Sequence, residues 1–139
     1  MDIKTIDETL SVTGQINAAD VETIAAAGFR SILCNRPDGE GVLQPDFGSV
    51  ERTAKEAGLE VIYQPVGSAG IQETDIADFQ TCFDTLPKPV LAYCRTGTRC
   101  TVLWSLSQAG KRDVHEILAM TAAAGYDMSM LVNRLNAQG

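Results

Sequence analysis

Short β-rich runs alternate with amphipathic stretches along this chain, and that alternation restricts it to an α/β layer architecture with a largely parallel sheet. Thr9 to Thr13 (TLSVT) reads as a strand. Asn17 then offers a side-chain oxygen to the free backbone N–H groups of a helix. In that helix Ala18, Val21, Ile24, Ala25 and Gly28 share one face, and Gly28 is its stop. Ser31 to Asn35 (SILCN) is a short apolar run suited to a buried strand, and Arg36 to Leu43 (RPDGEGVL) contains a Pro-Asp-Gly turn. A second helix is predicted from about Pro45 to Ala57, a third strand from Glu60 to Val66, and a small-residue loop from Gly67 to Gly70. Thr74 or Asp75 caps a third helix that turns Ile76, Phe79, Phe83 and Leu86 inward, and Pro87 and Pro89 end it. Val90 to Tyr93 (VLAY) is an almost unbroken apolar run of the kind buried on both faces of a parallel sheet. Helices over Thr101–Ala109, Asp113–Ala124 and Met128–Asn136 complete the chain. The count is about four strands and five to six helices in one domain over residues 1–139, a length typical of a single core.

Charge narrows the function classes. Eighteen acidic against eleven basic side chains give −7 at pH 7, so phosphate backbones and anionic lipid surfaces are repelled. Neither nucleic acid nor membrane is an expected partner. The start, Met1 to Glu8, carries acids where a secretory signal carries a basic region, and no apolar run approaches a membrane span. A cytoplasmic location is therefore expected. Cys34, Cys82, Cys94 and Cys100 read as thiols in a reducing compartment. With no Cys-x-x-Cys pair and one histidine, no metal site or cofactor is expected.

Ligands of open parallel sheets bind beyond the carboxyl ends of the strands. There, after the most buried strand, stands Cys94-Arg95-Thr96-Gly97-Thr98-Arg99, running directly into a helix. A cysteine in that place faces a helix N-terminus, whose dipole and free N–H groups favour the thiolate. Gly97 allows the backbone of Thr96, Gly97 and Thr98 to turn its N–H groups inward as an anion nest. Arg99 offers a planar fork to a tetrahedral oxyanion, and Arg95 adds charge at the rim. The alternative is a buried structural cysteine followed by a turn with two solvated arginines.

CRTGTR resembles the active-site loop of rhodanese-type sulfurtransferases. The stretches LSVTGQI (10–16), AAGFRSILCNRPDGE (26–40), VLAYCRTGTRCTVLW (90–104) and, more weakly, AAGYD (123–127) resemble the phosphatase-like domain of the beta-lactamase-hydrolase-like family, relatives of the cysteine phosphatases. The resemblance covers nearly the whole chain. It implies a cysteine-phosphatase-like (dual-specificity phosphatase-like) fold, with Cys94 as nucleophile and Arg99 as oxyanion binder. Members are associated with sulfide and persulfide handling, some fused to persulfide-oxidising domains, and are also described as phosphatase-like.

Cysteine phosphatases place five residues between the cysteine and the arginine, whereas this chain has four. They also favour His before the nucleophile and Ser or Thr after the arginine, where Tyr93 and Cys100 stand here. A smaller ring of donors suits one extra sulfur better than a phosphoryl group, and sulfane-sulfur transfer needs no acid for its leaving group. The first expectation is thus a sulfurtransferase. It would move sulfur from thiosulfate or a low-molecular-weight persulfide, through a Cys94 persulfide, to a thiol acceptor such as glutathione. The second is a cysteine-dependent phosphatase that uses the same Cys94 and Arg99 on phosphotyrosine or a small phosphomonoester. The third is a redox or anion-binding module without turnover, in which Cys94 and Cys100 form a reversible disulfide.

The remaining candidates carry two readings each. Arg36 and Asp38 wall the site, or Asp38 binds its own turn while Arg36 pairs with Asp38 or Glu40. Cys100 is either a redox partner of Cys94 or a small apolar contact, and the latter is favoured. Asp75, Asp78 and Asp38 offer a phosphatase its acid, though for Asp75 a helix cap and for Asp78 a solvated side chain are the simpler readings. Tyr93, Trp104, Met120, Met128 and Met130 read as core, Cys34 and Cys82 as buried and inert, and His115 as a surface residue.

Overall fold

The computed structural model describes residues 1–138. Its centre is β5 (Val90–Tyr93), all four residues of which are buried. Two parallel strands flank it in matched register: β2 (Leu10–Thr13) sets Leu10 opposite Val90, and β3 (Ser31–Cys34) sets Cys34 opposite Tyr93. Beyond β3 lies β4 (Glu60–Tyr63), also parallel. The sheet order is β1-β2-β5-β3-β4, where β1 (Lys4–Thr5) is a two-residue antiparallel edge strand. Sequence reading missed β1 because two residues are too few to display a period-2 pattern.

Alternation along the strands divides the core in two, since successive side chains point to opposite faces. Leu10, Val12, Leu33, Val90 and Ala92 face one layer. It is built by α3 (Glu73–Thr85), α4 (Thr98–Ser107), α5 (Val114–Ala123) and α6 (Val132–Gln138), which contribute Phe79, Phe83, Leu103, Trp104, Ile117 and Leu135. Ile32, Cys34, Leu91 and Tyr93 face the other, where α1 (Val21–Ala26) and α2 (Phe47–Glu56) supply Val21, Ile24, Phe47, Val50 and Ala54. The i, i+3, i+7 spacing of the last three places them on one stripe of α2.

Element ends follow local chemistry. Asn17 accepts from the Asp20 N–H at 3.1 Å and Asp20 answers to the Asn17 N–H, a reciprocal cap on the 3₁₀ turn that opens α1. At α3 the boundary residue is Gln72 rather than Thr74 or Asp75, and Asp75 Oδ2 accepts from the Gln72 N–H at 2.8 Å. The third strand stops at Tyr63 instead of Val66, because its register with β3 slips by one residue after Gln64. Gln64 and Val66 still donate to Cys34 O and Asn35 O, so the segment runs on beside β3. Met130 lies 63% exposed and Cys82 is half-buried, so neither belongs to the closed core. Trp104 and Met128 are buried as expected, Met120 is half-buried and His115 is exposed.

Leu91, buried at the centre of the sheet against α1 and α2, has no room to be replaced by a neighbour. Leu91→Ala is expected to lower unfolding free energy by about 2–5 kcal/mol. Val42→Ala, at a position 94% exposed, is expected to stay within about 0.5 kcal/mol of wild type. Urea melts of both variants check this: the midpoint falls for the first alone.

Candidate active site

Cys94 follows β5 directly and lies at the floor of a cleft of about 470 Å³, walled by the Gly67–Gly70 loop, Ile71, Arg95, Thr96, Thr98, Arg99, Val102 and Arg134. The loop that returns over it is shaped by Gly97. With φ at +88° Gly97 occupies the left-handed region, and a Cβ there would come 2.2 Å from the Tyr126 hydroxyl oxygen. Tyr126 uses that closeness to donate to Thr96 O at 3.0 Å, which pins the outside of the loop. The Gly97 N–H is thereby turned inward and donates to Cys94 Sγ at 3.1 Å. Thr101, one turn into α4, donates from Oγ1 to Gly97 O at 2.8 Å and fixes the loop from below.

The electrostatics favour a thiolate. The Cys100 thiol donates to Cys94, and this is the largest influence on it. Burial opposes ionisation, but backbone N–H groups of Cys100, Thr96 and Gly97 add to the pull, and the Cys94 pKa is lowered to about 5. Burial and the adjacent Cys94 sulfur push Cys100 the opposite way. Cys34 is raised to about 11, chiefly by burial, and burial also raises Cys82. Cys100 is therefore more than the apolar contact the sequence favoured. It replaces the hydroxyl found after the arginine in cysteine phosphatases with an S–H donor, so the thiolate is not left without a partner there.

Arg99, in the first turn of α4, is held by groups from two other loops. Nη1 donates to Val66 O at 2.8 Å and Nη2 to Glu40 Oε1 at 3.1 Å. The same Glu40 oxygen accepts from Arg36 Nε at 3.0 Å, and Arg36 Nη1 donates to Gln15 Oε1 at 3.1 Å. Burial tends to raise the Glu40 pKa, but the hydrogen bonds and charges of Arg99 and Arg36 outweigh it and hold the carboxyl below its usual range. Glu40 is the site residue the sequence reading did not single out. Its pairing with Arg36 was foreseeable at i, i+4, whereas its pairing with Arg99 spans 59 positions and depends on the fold. A second cleft of about 560 Å³ adjoins the first and is lined by Arg36, Glu40, Gly41, Val42, Ser68, Arg95 and Arg99.

The structure thus brings Cys94, Arg95, Thr96, Gly97, Thr98, Arg99, Cys100 and Arg36 together. Asp38 does not join them. Its carboxylate accepts from the Phe47 N–H at 2.8 Å and serves the N-terminus of α2, outside both clefts. Asp75 is spent on the start of α3, and Asp78 is exposed on that helix. Tyr93 is buried against the α1 and α2 layer and walls neither cleft. Val66 O, Tyr126, Val102 and Arg134 are further members of the site; Tyr126 sits in AAGYD and Val102 in VLAYCRTGTRCTVLW, while Val66 and Arg134 lie outside the stretches that carry the resemblance.

Iodoacetamide alkylation followed by mass spectrometry is expected to mark Cys94 alone at about pH 6, with a rate midpoint near pH 5. Cys100→Ala removes the main donor and is expected to move that midpoint up by at least about one pH unit, while Cys100→Ser, which keeps a donor, moves it less. An unchanged midpoint in Cys100→Ala is the result that contradicts this account.

Comparison with known proteins identifies the fold and the family. A crystal structure described as a "putative phosphatase" from Neisseria meningitidis superposes with a TM-score of 0.88 at 39% identity, covering 100% of this chain and 99% of that one. The active form of the protein designated Tk-PTP superposes with a TM-score of 0.74 at 15% identity, covering 98% of this chain and 94% of that one, a likeness of fold alone. Two beta-lactamase hydrolase-like proteins, from Xylella fastidiosa strain Temecula1 and from Agrobacterium fabrum, are 36% and 34% identical over 99% and 96% of this chain. This chain spans about a third of the length of those curated relatives, 32% and 31%. These likenesses show a phosphatase-like fold, whereas the sequence reading placed sulfur transfer first. The sheet, the cysteine loop and a match over residues 2–111 agree: the chain belongs to the family of the beta-lactamase hydrolase-like protein, phosphatase-like domain.

Proposed function

We propose that the chain is a cysteine-dependent phosphatase acting on small phosphomonoesters. The observation that carries this reading is a thiol depressed to about 5 at the floor of a cleft, with Arg99 standing over the same cleft from the first turn of α4. Two of the Arg99 N–H groups are spent on Val66 O and Glu40, and the rest of the fork is left for phosphoryl oxygens. The similarity to a structure described as a "putative phosphatase" at 39% identity supports the same class.

In the first step Cys94 Sγ attacks phosphorus, a sulfur–phosphorus bond forms, and the phosphorus–oxygen ester bond breaks with its electron pair on the departing oxygen. Loop N–H groups and Arg99 stabilise the charge on the equatorial oxygens. Water then attacks the thiophosphate, which releases inorganic phosphate and restores the thiolate. Glu40 lines the second cleft and not the one that holds Cys94, and its two arginine partners keep it ionised at neutral pH, so it is a positioning residue for Arg99 rather than a proton donor. The departing oxygen must therefore be a stable anion or take its proton from water. Aryl phosphates with acidic phenols fit this requirement better than alkyl phosphates.

One observation favours a second reading, in which Cys94 accepts sulfane sulfur. Four residues rather than five separate Cys94 from Arg99, and sulfite or a thiolate leaves without a proton. In that reaction the thiolate attacks the outer sulfur of thiosulfate, sulfite departs, and a thiol such as glutathione takes the sulfur from the persulfide.

Intact-protein mass spectrometry separates the two. Brief incubation with an aryl phosphate is expected to trap a gain of about 80 Da, absent in Cys94→Ser, whereas thiosulfate giving a cyanide-sensitive gain of about 32 Da instead reverses the order. Steady-state phosphate release is expected to fall by about 10² or more in Arg99→Lys, which keeps charge but loses the fork. Across a series of aryl esters the rate is expected to climb steeply with leaving-group acidity, and a flat dependence overturns the absence of a proton donor.

A further inference from the structure

We infer that the substrate carries a second anionic group, a phosphoryl or a carboxylate, held in the cleft between the Arg36 and Arg95 loops. This rests on reading the Cys94 loop as the site where the first anion reacts. The two clefts share Ser68, Arg95 and Arg99, so a molecule seated at Cys94 has an open path into the second one. Three guanidiniums line that second cleft against a single carboxylate, Glu40. They leave a local excess of positive charge on a chain whose net charge is −7. Such clustering of like charge is unfavourable unless an anion completes it.

The two arginines outside the Cys94 chemistry are arranged for different tasks. Arg36 is built in: its side chain is only 9% exposed and is anchored at Nε by Glu40 and at Nη1 by Gln15. Its Nη2 makes no hydrogen bond among the described residues. A Cβ on Gly41 would come 2.7 Å from that nitrogen, so the missing side chain at Gly41 is what keeps space in front of Nη2 open. Arg95 is exposed and lines both clefts; its carbonyl accepts from the Gln15 N–H, but its guanidinium has no hydrogen-bond or ion-pair partner among the described residues. One donor is thus buried and preorganised, the other free to close on an anion from the rim. A cleft of about 560 Å³ exceeds what one phosphoryl group fills, which points to an anion on a larger scaffold.

Isothermal titration calorimetry on the full chain carrying Cys94→Ser tests this without turnover. The probes are α,ω-diol bisphosphates of increasing carbon chain, the matching phosphate-carboxylates and the matching monophosphates. At least one two-anion probe is expected to bind about tenfold more tightly than its monophosphate, and the arm that does so identifies the second group. Arg95→Gln, at an exposed position, and Gly41→Ala, which puts a methyl before Arg36 Nη2, are each expected to remove most of that advantage. Monophosphate binding with no advantage for any two-anion probe, or an advantage that survives both substitutions, overturns the second site alone. Binding of no probe overturns the reading of the Cys94 loop itself.

Discussion

Burial of β5 on both faces is the constraint from which the remaining architecture follows. A strand with no polar side chain cannot face water, so helices must cover the sheet above and below. Because side chains alternate, Val90 and Ala92 draw in α3 to α6 while Leu91 and Tyr93 draw in α1 and α2. The same burial places Cys94 at the end of the best-ordered strand, where its position is set by pairing on both sides. Thr13 O accepts from the Cys94 N–H at 3.4 Å, and Tyr93 O accepts from the Asn35 N–H at 2.9 Å. A thiol mounted there is anchored to the central strand of the sheet, whose neighbours hold it from both sides.

Around that fixed point, the loops after β3, β4 and β5 are tied together by side chains rather than by regular structure. Asn35 Nδ2 donates to the carbonyl and to the amide oxygen of Gln64, and Gln64 Nε2 passes the chain on to Asp75 O. Glu40 does the equivalent for charge. It neutralises part of two guanidiniums that would otherwise repel, and its ion pair keeps Arg99 extended across the mouth of the cleft. Both side chains of the Arg99–Glu40 pair are largely shielded, 12% and 21% exposed, so the pair is screened less than a surface salt bridge. The loop that resembles a phosphate cradle is therefore one part of a larger electrostatic unit.

Much of this was legible in the sequence where the signal was local. Short β-rich runs alternating with amphipathic stretches located four strands and their helices, and the strand-cysteine-glycine-arginine-helix order pointed to the loop at which the two clefts meet. Helix ends were less legible, because a reciprocal cap such as Gln72 with Asp75 depends on which N–H groups the fold leaves free. Asp38 misled for a related reason. It stands in the loop on the catalytic edge of the sheet, but the nearest unsatisfied donor is the Phe47 N–H at the start of α2, and the carboxylate goes there. The pairing of Glu40 with Arg36 lay within reach of spacing, but the convergence of Glu40 and Val66 O on Arg99 did not, since it arises only where separate loops meet.

The choice of cysteine at position 100 deserves a physical reading of its own, because it changes what the four-residue loop can do. A thiol is a weaker donor than a hydroxyl and its sulfur is larger, so the Cys100 group fills the space behind Cys94 while still directing a proton at it. Complete burial and the neighbouring thiolate keep Cys100 protonated, so the donor does not itself ionise in the range where Cys94 does. The Cys100 thiol and the N–H groups of Thr96, Gly97 and Cys100 thus bear on the thiolate from inside the protein. Glu40 and Val66 O meanwhile hold one edge of the Arg99 fork. A shorter loop has fewer N–H donors, and the Cys100 thiol adds a further one from α4.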